Sequence, residues 1–176
     1  MIITDLRVNH VTEPKGYCYE PVSFSWKVEE GKEAKIQNYA RITVKKGAEV
    51  VFDSGDDREA DSLDYPVRFQ MEPRCRYDWT VRVMADSGET AEASSFFETG
   101  KLQEAWRAQW ITPGGEITQT DAMAGYILEK EFQVLEKIED ARLYICGLGV
   151  YECYINGKKV GDEYLAPGYH SYDFHL

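Results

Sequence analysis

The sequence predicts an all-β protein, and three observations carry that reading. Apolar and polar residues alternate with a period of two in one stretch after another. Turn signals built on Gly, Pro, Asn and Asp recur every ten or so residues. No stretch sustains a helical apolar period.

Ile2 to Val8 reads as an opening strand, followed by a polar turn through Glu13-Pro14-Lys15-Gly16. In Pro21 to Val28 the alternation is clean: Val22, Phe24, Trp26 and Val28 point one way, Ser23, Ser25 and Lys27 the other. The charged stretch Glu29 to Lys35 is a loop. Ala40, Ile42 and Val44 then alternate with Arg41 and Thr43, and Lys46-Gly47 turns the chain into Val50-Val51-Phe52. After the polar stretch that begins at Asp53-Ser54-Gly55, Tyr65, Val67 and Phe69 mark a half-buried strand. The longest strand is Cys75 to Val83, apolar or aromatic at every odd position. Ser87-Gly88 makes the next turn, and Ala91 to Glu98 closes the set before Thr99-Gly100. About seven strands over residues 1–100 describe an immunoglobulin-like or fibronectin type III-like sandwich.

Residues 101–112 read as a connector, in which Leu102, Ala105 and Trp106 share one face of a short helical turn. Thr112 to Gly125, with Pro113-Gly114-Gly115, is a surface loop. The β pattern resumes over Ile127 to Val134, and Leu143 and Ile145 alternate with Tyr144 and Cys146. Gly147-Leu148-Gly149 bends the chain. Asn156-Gly157, between Tyr154-Ile155 and Lys158-Lys159-Val160, is the strongest hairpin signal in the sequence, because a two-residue type I′ turn needs positive φ at both central positions. Residues 113–176 are therefore a second β-sandwich segment.

Composition limits what such a protein does. Of 176 residues 43% are hydrophobic and 13% aromatic, ample for packed cores. The 31 Asp and Glu against 20 Lys and Arg give a net charge of −11, which repels nucleic acid and anionic membranes. Neutral ligands, sugars included, are compatible with it. MIITDLRVNH carries no basic segment followed by a long apolar one, and no apolar run approaches the ~18 residues of a membrane span. The expected location is the cytoplasm. Cys18, Cys75, Cys146 and Cys153 lack Cys-x-x-Cys spacing and are read as reduced, buried small hydrophobes rather than zinc ligands.

Few residues invite a chemical reading. Tyr144, Tyr151, Tyr154, Tyr164, Tyr169, His170 and Tyr172 suggest either a sugar-stacking platform or ordinary packing, and packing is preferred. His170 near Asp173 reads as a surface histidine. Asp53, Asp56, Asp57 and Asp61 lack the spacing of a calcium loop and read as a solvated loop. Ser94-Ser95 has no nucleophile-elbow context. The expectation is no catalytic residue, no sugar-binding residue, no metal ligand and no cofactor in this chain.

Several elements, in order, resemble the N-terminal part of bacterial α-L-rhamnosidases of glycoside hydrolase family 78. They are Trp26, Val51-Phe52-Asp53-Ser54-Gly55, Tyr77-Asp78-Trp79-Thr80-Val81-Arg82-Val83 and Phe97-Glu98-Thr99-Gly100, then Trp106-Arg107-Ala108-Gln109-Trp110-Ile111, Leu128 to Phe132, and Gly147 to Tyr172. The resemblance implies a fibronectin type III-like domain followed by the first part of a jelly-roll-like domain, truncated at the end of the chain. It also implies a non-catalytic accessory region of an inverting glycosidase whose (α/α)6 catalytic barrel lies downstream as its partner. Exposed sheet edges would favour self-association. Two other readings stay open: a carbohydrate-binding module active in isolation, and the sugar-binding domain of a β-galactosidase or β-glucuronidase type hydrolase.

Overall fold

The computed structural model describes residues 1–29, 36–114, 125–135, 137–138 and 141–166. The expected loop at residues 30–35, most of the one at 115–124, and Tyr169, His170, Tyr172 and Asp173 lie outside them. The chain divides into two compact units, Met1–Ile111 and Thr112–Leu176. Among the described residues it is all β, with no helix.

The first unit is a two-sheet sandwich. Strands β1 (Ile2–Val8), β3 (Val22–Glu29) and β6 (Tyr65–Val67) form one sheet in the order β1-β3-β6. The other takes β2 (Lys15–Tyr17), β4 (Gln37–Lys46), β5 (Glu49–Asp53), β7 (Arg76–Ala85) and β8 (Thr90–Thr99) in the order β2-β8-β7-β4-β5. The inward residues are those the alternation selects. Val22, Phe24 and Trp26 from one sheet meet Ala40, Ile42, Val44, Tyr77, Trp79, Val81, Val83 and Phe97 from the other, all buried. Phe24 packs on Trp79 with ring centroids 4.5 Å apart, so the two sheets touch through aromatic rings.

Four expectations are corrected. The polar turn after β1 contains a strand, β2, which pairs parallel with β8. Lys15–Tyr17 is exposed throughout, so no apolar alternation announces it. Its backbone holds it instead, Glu98 N–H donating to the Pro14 carbonyl at 2.9 Å and Gly100 N–H to the Tyr17 carbonyl at 2.6 Å. Val28 is not in the core but 40% exposed, near the end of β3, where it still pairs with Ile3 of β1. Phe69 lies beyond β6, because the β3–β6 ladder ends at Val22–Val67 and the next residue on β3's side is Pro21, which has no N–H to extend it. The connector has no helical segment. It makes one turn, with Glu104 N–H donating to the Lys101 carbonyl at 2.8 Å, and leaves Trp106 53% exposed.

In the second unit the hairpin forms as its dipeptide requires. β9 (Tyr154–Ile155) and β10 (Lys158–Lys159) flank Asn156 at φ 50° and Gly157 at φ 74°. Val160 N–H donates to the Cys153 carbonyl, extending the pairing, and Tyr151 bridges Ala166. The strands expected over 127–134 and 143–146 are not formed. Their apolar residues are present, but no described residue supplies the neighbouring ladder that a strand needs. Ile127, Leu128, Phe132, Leu143 and Ile145 are accordingly exposed.

Candidate functional site

The acidic residues of the 53–61 loop are absorbed by the fold. Arg41 meets Asp53 in a two-pronged contact of 2.9 and 2.7 Å, and Gly55 N–H adds a third bond to the same carboxylate. Asp57 accepts from the Tyr65 hydroxyl and from the Glu59 amide, and Asp61 accepts from the Leu63 amide. These carboxylates cap backbone amides and fix a loop. Among the described residues no group of three or more His, Cys, Asp or Glu gathers where a metal would sit.

Ser94 lies on the outer face of the five-stranded sheet, opposite Thr80, with the two hydroxyls 2.9 Å apart. Among the described residues no imidazole joins them. The thiols are all free, as expected, but they are not buried: Cys18 and Cys146 are exposed, Cys75 and Cys153 half-buried. Cys18 sits where the chain leaves β2 and crosses to β3, and Cys146 lies in a stretch that no strand among the described residues covers.

The tyrosines of the second unit divide. Tyr144 and Tyr151 are half-buried, whereas Tyr154 and Tyr164 are exposed and join a polar cluster on the hairpin. Glu152 is its centre, accepting from the Tyr154 hydroxyl at 2.7 Å and from Lys159 Nζ at 3.0 Å, while the same ammonium lies 4.1 Å from the centre of the Tyr164 ring. The hydrogen bond from Tyr154, then that from Lys159, holds the Glu152 carboxyl below the usual carboxylate range. Glu152 in turn raises both Tyr154 and Lys159. Each group moves away from neutrality, the opposite of what a general acid or base working near neutral pH needs. The Tyr154 hydroxyl meets Glu152 and the Tyr164 ring lies against Lys159, so the cluster braces the hairpin.

The first unit also carries a surface groove. A groove of about 340 Å³ opens at the end of the first sandwich, between residues 18–22 and 67–71 and the turn at Leu102–Gln103. Three segments distant in sequence build it, so no motif or spacing announced it.

Comparison with known proteins agrees with this architecture. Residues 3–103 match the family of Rha78A-like N-terminal immunoglobulin domains, and residues 136–176 match the α-L-rhamnosidase N-terminal domain. An α-L-rhamnosidase of Formosa agariphila is 30% identical over 126 residues, which are 59% of this chain and 13% of that protein. The structure of α-L-rhamnosidase from Dictyoglumus thermophilum superposes with a TM-score of 0.78 at 28% identity, covering 96% of this chain and 22% of that one. The Streptomyces avermitilis α-L-rhamnosidase complexed with L-rhamnose gives 0.58 at 29% identity, over 64% of this chain and 12% of that one. The chain thus spans less than a quarter of the length of these relatives. With more than half of its residues inside the first match and the second match following in order, the chain belongs to the family of Rha78A-like N-terminal immunoglobulin domains and carries the N-terminal region of the α-L-rhamnosidases.

Proposed function

We propose that this chain is a non-catalytic accessory and structural region of an α-L-rhamnosidase that hydrolyses terminal α-L-rhamnosides, and that its partner is a catalytic domain of the same protein. The observation that carries the reading is the pair of matches, an immunoglobulin-like module and then the α-L-rhamnosidase N-terminal domain, filling 12–22% of the length of the solved relatives. One feature of the structure supports it. The second unit exposes Ile127, Leu128, Phe132, Leu148, Val150 and Leu165, apolar surface that further chain would cover. Four free thiols support our placing the protein in a reducing compartment, the cytoplasm.

Release of the chromophore from an aryl α-L-rhamnoside tests the reading directly. The 176-residue chain is expected to give none above the buffer rate, while the same chain continued through a helical catalytic domain turns the substrate over. Turnover by the short chain would refute the accessory role.

A further inference from the structure

The glycine bend ahead of the hairpin lies between two cysteines. Six residues, Gly147 to Glu152, separate Cys146 from Cys153. Tyr151 folds back over the bend: a Cβ at Gly147 would sit 2.4 Å from Cδ1 of its ring, an approach that glycine permits. Gly149 holds φ at 113°, a conformation open to glycine and closed to residues with a Cβ. Past the bend the chain is pinned. Tyr151 N–H donates to the Ala166 carbonyl at 2.9 Å, and Val160 N–H to the Cys153 carbonyl at 2.8 Å.

Both thiols act on the same phenol. Burial first, then the charges of Cys146, Glu163 and Cys153, push the Tyr151 hydroxyl above its ordinary range. Such charge effects fade with distance, so the two sulfurs share the neighbourhood of that ring. Both cysteines are free, Cys146 exposed and Cys153 half-buried. That division suits a redox pair, in which an accessible thiol meets the oxidant and a sheltered one resolves it. Among the described residues no group of three or more His, Cys, Asp or Glu forms a metal site, so two thiols without further ligands fit a disulfide and not zinc.

We propose that Cys146 and Cys153 form a reversible disulfide that closes the bend and ties residues 143–146 to the hairpin. The oxidant is a low-molecular-weight disulfide of the glutathione class. The Cys146 thiolate attacks one of its sulfurs, a mixed disulfide forms, and one small thiolate leaves. The Cys153 thiolate then attacks the Cys146 sulfur and expels the second small thiolate. Two protein thiols thus lose two protons and two electrons, and the small disulfide takes up both electrons. The glycines at 147 and 149 let the backbone bring the two Cα atoms within the roughly 7 Å that the bond requires. In a reducing compartment the pair rests as thiols, and it closes when the ratio of small disulfide to small thiol rises. The proposal goes beyond the accessory role and does not depend on which substrate the parent protein processes.

The test is to incubate the 176-residue chain with oxidised glutathione, alkylate the remaining thiols and map the peptides by mass spectrometry. The expected product is a link between residues 146 and 153 within one chain, while Cys18 and Cys75 remain thiols or single glutathione adducts. A short loop gives the second thiol an effective concentration on the order of millimolar, which favours closure over a second adduct. Cys153→Ser stops at a glutathione adduct on Cys146, and the double variant Cys18→Ser, Cys75→Ser leaves the link unchanged. Closure runs at least about tenfold faster in the folded chain than in urea, and exchange at the Tyr151 amide slows on oxidation and recovers on reduction. Equal rates with and without urea would show that nearness in sequence, not the fold, joins the thiols, and would overturn the proposal. So would lasting adducts on both residues, links to Cys18 or Cys75, links between chains, or thiols at 146 and 153 that stay free.

Discussion

Phe97 sits among three aromatic rings in the core of the first unit, and replacing it with leucine tests whether those rings are coupled. The side chain is fully buried. Its ring lies 5.2 Å from Tyr77 in a stacked pair, 5.6 Å from Tyr19 edge to face, and 6.1 Å from Phe24 of the opposite sheet. Leucine keeps most of the apolar volume, and such a swap alone costs under about 1.5 kcal/mol. It also removes three ring pairs, each contributing about 0.5–1.5 kcal/mol beyond buried area. Because neighbouring contacts do not add, the total is set at about 2–3 kcal/mol. A domain with about 5–15 kcal/mol of stability survives that loss and melts about 10–20 °C lower. Urea unfolding followed by the fluorescence of Trp26 and Trp79, both in the core, measures it. The midpoint falls while the slope stays constant. A loss below about 1 kcal/mol at constant slope would refute the reasoning, showing that the rings are neighbours without being coupled.

Three further outcomes follow from single contacts. A Cβ at Gly100 would sit 2.4 Å from the Gly16 carbonyl oxygen, a backbone atom that cannot swing aside, so Gly100→Ala costs at least about 2 kcal/mol and exposes the Gly100 amide to exchange. Gly47→Ala, with open space around it and φ +57°, costs only the left-handed strain of about 1 kcal/mol, and chemical denaturation separates the two variants. In the hairpin, Gly157→Ala at φ +74° weakens the Val160 to Cys153 bond, and hydrogen exchange at the Val160 amide speeds up roughly tenfold for each 1.4 kcal/mol lost. Asp53 is held below its ordinary 3.8, first by the hydrogen bond from Arg41 and then by that from the Gly55 amide. A carboxyl depressed on folding stabilises the folded state above its unfolded pKa, and that contribution fades as pH falls through the folded value. NMR titration therefore finds Asp53 below 3.8, and Arg41→Ala moves it upward; since the pair is exposed, its effect on stability stays below about 1 kcal/mol.

What was legible in the sequence divides by the physical origin of each element. Where a strand buries one face, the period of two reports it directly. Tyr77, Trp79, Val81 and Val83 were placed inward from alternation alone and are all buried. The Asn156-Gly157 turn was equally readable, since positive φ is a local demand that two residue types meet. By contrast, β2 is held by backbone bonds to β8, more than 80 positions away in the chain, and buries no side chain, so nothing in its composition marks it. Thiol burial was misjudged because cysteine's preference for the interior is an average, while Cys18 lies on a crossing between sheets. The groove was invisible for the same reason as β2. Tyr19, Arg68 and Gln103 meet only once β3 and β6 have paired and the chain has returned past β8.

The two units carry one pattern to different ends, and the difference lies in pairing rather than propensity. Val22 to Trp26 is apolar on one face and Leu143 to Cys146 on both, yet Phe24 is fully buried while Leu143 is 50% exposed. In the first case β1 and β6 flank the strand and a second sheet covers it. In the second the flanking ladder is not among the described residues, and alternation without a ladder leaves backbone groups to water. Among the described residues of that unit the two-stranded ladder is the hairpin, whose turn supplies its own partner strand. Local chemistry is thus sufficient for Asn156-Gly157 and insufficient for Leu143-Tyr144-Ile145. A longer chain that supplies flanking strands is expected to bury Leu143 and Ile145 without altering the φ signs at 156 and 157. Comparing amide exchange at 143–146 and 158–160 between the short and the extended chain tests this: protection should rise at the first segment and stay level at the second. Equal rises at both would mean that the hairpin, too, depends on strands beyond itself.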